Sequence, residues 1–160
     1  MPVEAVEDVE FTAQGATLRG WFYPPPEGHG AGPCVVLQTG FSGVKEMATP
    51  DYAEVLQAAG LACLVYDHPG FGASDALTPT PRQEIDPWQQ VRCIQDAISY
   101  AQSRPEVDAD RIGLWGTSFA GGHAIVVAAS DRRVKAVVTQ LPLISGSRTF
   151  DDVRRVPLVD

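Results

Sequence analysis

Apolar and polar positions alternate in two short stretches near the start of the chain, Val9-Glu10-Phe11-Thr12 and Thr17-Leu18-Arg19-Gly20-Trp21-Phe22-Tyr23. Gln14-Gly15-Ala16 lies between them, and a glycine turn between two period-two stretches predicts an antiparallel hairpin within Val3 to Tyr23. The Pro/Gly-rich segment from Pro24 to Pro33 can be neither helix nor central strand. Beyond it the pattern changes. Cys34 to Gln38 and Leu61 to Tyr66 are short, continuous apolar runs, as expected of strands covered on both faces. Arg111 to Trp115 and Val134 to Thr139 read as two further strands.

Helical spacing fills the gaps. Ala53, Val55, Leu56 and Ala59 recur as one helix face over Tyr52 to Ala59, and Gly60 stops it. Asp86-Pro87 is a strong helix start, because Asp caps and Pro occupies a first turn that needs no amide donor. The helix it opens turns Val91, Ile94, Ala97, Ile98 and Ala101 inward and ends near Arg104-Pro105. Ser118 to Ala129 reads as a third helix. After Pro142 the periodicity fades, and Ser145 to Asp160 reads as a loop or the start of an unfinished element. Strands alternating with helices after a hairpin predict an α/β fold, a mostly parallel sheet with helices on both faces.

The length fits this picture: 160 residues, 44% hydrophobic, make one domain able to bury roughly 68–70% of its unfolded surface. Global disorder, a collagen-like repeat and a disulfide scaffold are all excluded by composition. No apolar run reaches the roughly 18–20 residues of a membrane span, so no membrane partner is expected. The opening Met-Pro-Val-Glu-Ala-Val-Glu-Asp-Val-Glu is acidic where a targeting peptide would be basic or apolar, which points to the cytoplasm.

Twenty acidic against 12 basic residues give a net charge of −8. That sign repels phosphate backbones, and the isolated pairs Arg132-Arg133 and Arg154-Arg155 make no basic patch, so nucleic acid is not an expected partner. Cys34, Cys63 and Cys93 lie in apolar stretches without metal or redox spacing and read as buried thiols. No metal or cofactor is expected.

Candidate chemistry gathers in Gly113-Leu114-Trp115-Gly116-Thr117-Ser118-Phe119-Ala120-Gly121-Gly122. The motif G-x-S-x-A followed by two glycines falls where a strand becomes a helix. A tight turn there can lift a serine hydroxyl out of the sheet, and small neighbours let the backbone segments approach. The Phe119 amide then sits at a helix N-terminus, where a donor favours developing negative charge. Ala120 stands where the pattern usually closes with Gly, a mild departure. The plainer alternative is a serine that only caps its helix. A second donor is expected from the amide of Phe41 in the loop Thr39-Gly40-Phe41-Ser42-Gly43, which could also be an ordinary turn needing glycine.

The remaining titratable candidates fit less well. Asp67 and His68 precede the serine, whereas the order in this arrangement is Ser, then acid, then His. His68 therefore reads as part of a structural turn near a pocket rim. His123, five residues after Ser118, points away from the hydroxyl and reads as packed or surface. His29 reads as solvated.

At these stretches the sequence resembles the α/β-hydrolase superfamily. It is closest to the branch of bacterial and fungal hydrolases related to polyketide transferases and dienelactone-hydrolase-like esterases. Gly40 to Met47, Glu84 to Val91 and Val107 to Gly121 carry the resemblance, which spans almost the whole chain. It implies Ser118 as nucleophile and the amides of Phe119 and Phe41 as an oxyanion hole. Lys45-Glu46 matches a charged pair of underived role. The acid and histidine have no match. Relatives carry them on later loops, so the C-terminal strands and both residues are expected beyond Asp160 or in a second chain. Asp151, Asp152 and Asp160 are the only late carboxylates, and nothing positions them as the acid.

The expectation is that residues 1–160 form the N-terminal part of a single α/β-hydrolase domain acting on a small ester or thioester through an acyl-enzyme on Ser118. Acyl transfer to an alcohol and a non-catalytic binding module are the competing readings, and a homo-oligomer stays open. A nucleotide-binding Rossmann domain is disfavoured, because the turn Gly40 to Lys45 lacks G-x-G-x-x-G.

Overall fold

The computed structural model describes residues 6–28 and 30–154. The element order is β1 (Glu7–Ala13), β2 (Ala16–Tyr23), β3 (Gly32–Gln38), α1 (Thr49–Ala58), β4 (Ala62–Tyr66), α2 (Pro87–Ser103), β5 (Val107–Thr117), α3 (Ser118–Ser130), β6 (Val134–Gln140) and α4 (Gly146–Arg154). The hairpin closes through Gln14 (φ 51°) and Gly15 (φ 88°). Two left-handed residues in a two-residue loop suit the right-handed twist of the flanking strands. Ala13 consequently faces Ala16, and Val9, Phe11 and Ala13 bury one face of β1.

Six strands form one sheet in the order β1-β2-β4-β3-β5-β6. The hairpin joins it antiparallel through β2 and β4, while β4, β3, β5 and β6 run parallel. Their alternating residues build two apolar layers. Val36, Leu64 and Leu114 pack with Ile94 and Ala97 of α2 and Ala124 of α3. Leu37, Val65 and Trp115 pack with Ala53 of α1 on the opposite face. Helices therefore cover both faces, as the uninterrupted apolar strands demand. The start of α2 is also as the sequence reads: Asp86 accepts from the Trp88 and Gln89 amides at 2.9 and 3.1 Å, and Pro87 opens the helix.

From β3 the chain moves outward to β4 on one side, then returns to β5 on the other. The C-terminal end of β3 is thus the point where strand order reverses, the place at which open α/β sheets take up ligands.

Three expectations need correction. First, α1 starts at Thr49 rather than Tyr52, and Val55 is 70% exposed although its spacing seemed to place it inward. Residues two apart lie about 200° apart around a helix, so Ala53 facing the sheet turns Val55 outward. Gln57 is buried instead and donates to the Pro24 carbonyl at 2.8 Å. Second, β5 is longer than Arg111 to Trp115, because Val107 already pairs with Gly32. Third, residues 146–154 form a helix where the pattern left either a loop or the start of an unfinished element. The expectations for residues 1–5, His29 and Asp160 lie outside the described residues. Cys34, Cys63 and Cys93 are buried and free, and burial pushes the thiols of Cys34 and Cys93 up to about 12.

Candidate active site

The turn at Ser118 is as tight as a strand-to-helix junction can be. β5 ends at Thr117 and α3 begins at the next residue. Ser118 takes a φ of 53°. A left-handed non-glycine residue is strained by about 1–3 kcal/mol, so the surrounding packing must enforce it. Small neighbours provide that packing. A Cβ at Gly116 would lie 2.6 Å from the Ala120 carbonyl oxygen, and one at Gly122 would strike the Leu143 carbonyl. Ala120 is 1% exposed and fits under the turn with its single methyl group. From the other side the Leu143 amide donates to the Ser118 carbonyl at 2.8 Å. Ser118 itself is exposed. It does not cap the helix: the N-cap is Thr117, and no side chain hydrogen-bonds there. Among the described residues the Ser118 hydroxyl has no hydrogen-bond partner.

The loop after β3 meets this turn at the strand-order reversal. Gln38 pairs with Gly116 across the sheet. Two residues further along each strand, a Cβ on Gly40 would lie 3.2 Å from the Ser118 Cβ. Gly40 and Gly43 close a turn through a 3.1 Å amide-to-carbonyl bond, with Ser42 at a φ of 52° inside it. The Phe41 ring, 64% exposed, meets the Phe119 ring edge-on with centroids 5.5 Å apart. Phe41 and Phe119 thus stand together beside Ser118. The first amides of a helix have no intrahelical acceptor, and among the described residues the Phe41 amide has no acceptor either.

Behind this loop lies a buried ion pair. The Lys45 ammonium is 2.8 Å from Asp67, whose side chain is fully buried, and 2.8 Å from Glu46. Burial works against the Lys45 charge, but the hydrogen bonds the ammonium donates to Asp67 and Glu46 outweigh it and hold its pKa above the ordinary lysine value. Asp67 is therefore a structural acceptor. The charged pair Lys45-Glu46, visible in the sequence without a role, gains one here. The sequence signal for the contact was two charges, each set in a turn just after an apolar strand. Their meeting depends on β3 and β4 being neighbours.

His68 and His123 are both buried, and among the described residues no ring nitrogen of either has a hydrogen-bond partner. His68 packs edge-on against Tyr66 and His123 against Phe119. Burial, together with the His123 charge, pushes His68 down to about 3, and burial pushes His123 down to about 4. Both imidazoles are neutral near pH 7. Asp151 and Asp152 are exposed on α4. No described histidine or carboxylate hydrogen-bonds to Ser118. An apolar groove of about 350 Å³ runs beside the turn, lined among others by Trp88, Val91, Phe119, Val126 and Ile144. Among the described residues no helix is long and apolar enough to cross a membrane, and no cluster of His, Cys, Asp or Glu could hold a metal ion.

Comparison with known proteins agrees with this architecture. A family model described as the alpha/beta hydrolase fold matches residues 33–157. The polyketide transferase grgF of a Penicillium species is 39% identical over 154 residues, covering 96% of this chain and 50% of the relative. The thiohydrolase aneE of Aspergillus aculeatus is 39% identical over 141 residues, 88% of this chain and 42% of the relative. The structure of DcsB in complex with its substrate analogue superimposes with a TM-score of 0.81 at 37% identity, over 94% of this chain and 52% of that one. The chain spans about half the length of the relatives it matches.

Proposed function

Because this chain belongs to the alpha/beta hydrolase fold family, we propose that it carries the nucleophile and oxyanion hole of a serine acyl hydrolase. Ser118 is the nucleophile, and the amides of Phe41 and Phe119 receive the oxyanion. The observation that carries this reading is the turn itself: an exposed serine held at a φ of 53° between β5 and α3, beside a loop whose Phe41 amide has no acceptor among the described residues.

In the proposed reaction, a general base takes the Ser118 proton as Oγ attacks an ester or thioester carbonyl carbon. The carbonyl oxygen becomes an oxyanion that accepts from the Phe41 and Phe119 amides. Collapse expels the alcohol or thiol, which takes up the proton, and leaves the acyl group on Ser118. Water then attacks the acyl-enzyme, releases the acid and returns the proton to Ser118. The base and its orienting acid belong to sequence outside these 160 residues or to a second chain. The groove beside Phe119 offers an apolar wall to an acyl group.

A second reading is supported by the polyketide transferase among the relatives: an alcohol replaces water in the second step and the product is a new ester. Reaction of the complete protein with a fluorophosphonate, followed by peptide mapping, tests the shared first step. Labelling confined to Ser118 is expected. Absence of labelling would leave a non-catalytic binding module as the better account. Product analysis with and without an alcohol acceptor then separates hydrolysis from transfer.

A further inference from the structure

Lys45 is held more firmly than a strand-to-helix loop requires. Its amide donates to Asp67 Oδ1 at 2.7 Å, and its ammonium donates to Oδ2 of the same carboxylate at 2.8 Å. Its carbonyl accepts from Thr49 Oγ1 at 2.7 Å. The ammonium also lies 4.9 Å from the Trp21 ring centre. Asp67 takes one further bond, from the Ala73 amide at 3.0 Å. A single buried carboxylate thus grips both the main chain and the side chain of one residue.

We propose that the Lys45–Asp67 pair is the positioning device that fixes the Phe41 amide relative to Ser118 and so sets the rate of acylation. The proposal rests on the reading of Ser118 and Phe41 given above. Residues 39–44 are strung between two anchors. At one end Gln38 is paired to Gly116, two residues before Ser118. At the other end is the grip on Lys45. Between them Ser42 is left-handed at a φ of 52°. A non-glycine residue in that state relaxes when its surroundings allow, and release of the second anchor provides the freedom. An apolar contact would hold the loop down without fixing its rotation, whereas two charge-assisted bonds to one planar carboxylate fix both. Oxyanion donors act through exact placement, so a small shift of Phe41 weakens the transition state more than substrate binding.

The test uses the complete enzyme and the variants Asp67→Asn, Lys45→Met and Thr49→Val, each checked by thermal unfolding. With an ester substrate, kcat is expected to fall about 10–100-fold in the first two, below the full loss of an oxyanion donor. KM should change less than about threefold, since the pair does not touch substrate. Affinity for a boronic acid that forms a tetrahedral adduct on Ser118 should fall by the same factor as kcat/KM. Fluorophosphonate labelling should slow in parallel yet still reach every molecule, which loss of folded protein would not produce. Thr49→Val disturbs only the Lys45 carbonyl and should show the same split at about 3–10-fold; if the two charged-pair variants do not fold, it decides. Folded variants with kcat within twofold of wild type, or losses that track an unlabelled fraction, overturn the proposal alone. A wild-type protein that is not labelled at Ser118 overturns the reading beneath it, and the proposal falls with that reading.

Discussion

On its two sides Ser118 is bordered by chain held in opposite ways. Toward β4 the charged groups Asp67 and Lys45 are committed to each other. Asp67 accepts three hydrogen bonds, Lys45 is 5% exposed, and the loops after β3 and β4 are tied together through them. Toward β6 the chain presents apolar surface instead. Val138 is 58% exposed, Leu141 85% and Ile144 71%, and β6 pairs only with β5 among the described strands. The difference shows which half of the candidate site is organised by this chain's own contacts. The loop that carries Phe41 is anchored on the β4 side through Lys45 and Asp67. The β6 side offers a sheet edge and a largely apolar helix, α3, in which Ile125 and Val126 remain partly uncovered. A helix that is apolar on all sides is one that becomes covered on all sides.

The most severe break of this comparison is at its centre. In the complete enzyme Ser118→Ala should lower turnover of an ester by at least ~10³-fold while leaving the fold intact, since removal of the nucleophile leaves only residual catalysis. Turnover close to wild type would remove Ser118 from the chemistry. The next effect lies on the committed side. Asp67→Ala leaves the Lys45 ammonium buried beside the partly exposed Glu46, and loss of one partner of a buried pair is expected to cost about 3–5 kcal/mol in urea unfolding. A cost below 1 kcal/mol, on the scale of an exposed pair, would mean that water reaches Lys45.

A third contrast sits within two adjacent residues. Asp67 is buried with its hydrogen bonds satisfied; His68 is buried with none. The folded state holds His68 down to about 3 and His123 down to about 4, against roughly 6.5 in an unfolded chain. Below pH 6.5 the unfolded chain therefore binds protons that the folded protein refuses. Stability is full above that pH and is lost as pH falls toward 4. At pH 5 each histidine should account for roughly 2 kcal/mol of the loss. His123→Phe should reduce the difference in unfolding free energy between pH 7 and pH 5 by that amount. An unchanged difference would show that the imidazole is not held neutral.

The smallest effect belongs to the open side. Val138→Ser should change stability of this chain by less than about 0.5 kcal/mol, as expected of an exposed position. A penalty above 1.5 kcal/mol would show that the edge of β6 is covered in solution and would narrow the contrast between the two flanks.

The architecture around Ser118 was legible in the order of residues because it depends on local rules. Period-two alternation, a glycine turn and an Asp-Pro helix start mark the hairpin and α2. The G-x-S-x-A motif marks the turn because small residues are required wherever backbones touch. The helical face of α1 misled because Val55 and Leu56 are both apolar, and only contact with the sheet decides which of them turns inward. The helix at 146–154 has only two apolar positions, Phe150 and Val153, one helical spacing apart, too short a repeat to stand out from a loop by periodicity.

By itself the sequence determined the strand and helix types from β1 to β6 and the position of the candidate nucleophile. Those features are written in spacings of a few residues. Tertiary structure alone decided that Lys45 meets Asp67, 22 residues away, that Phe41 stands beside Phe119, and that His68 and His123 are buried without partners among the described residues. Each depends on which strands are neighbours, and strand order is fixed by how the helices pack over the whole sheet rather than by any local run of residues.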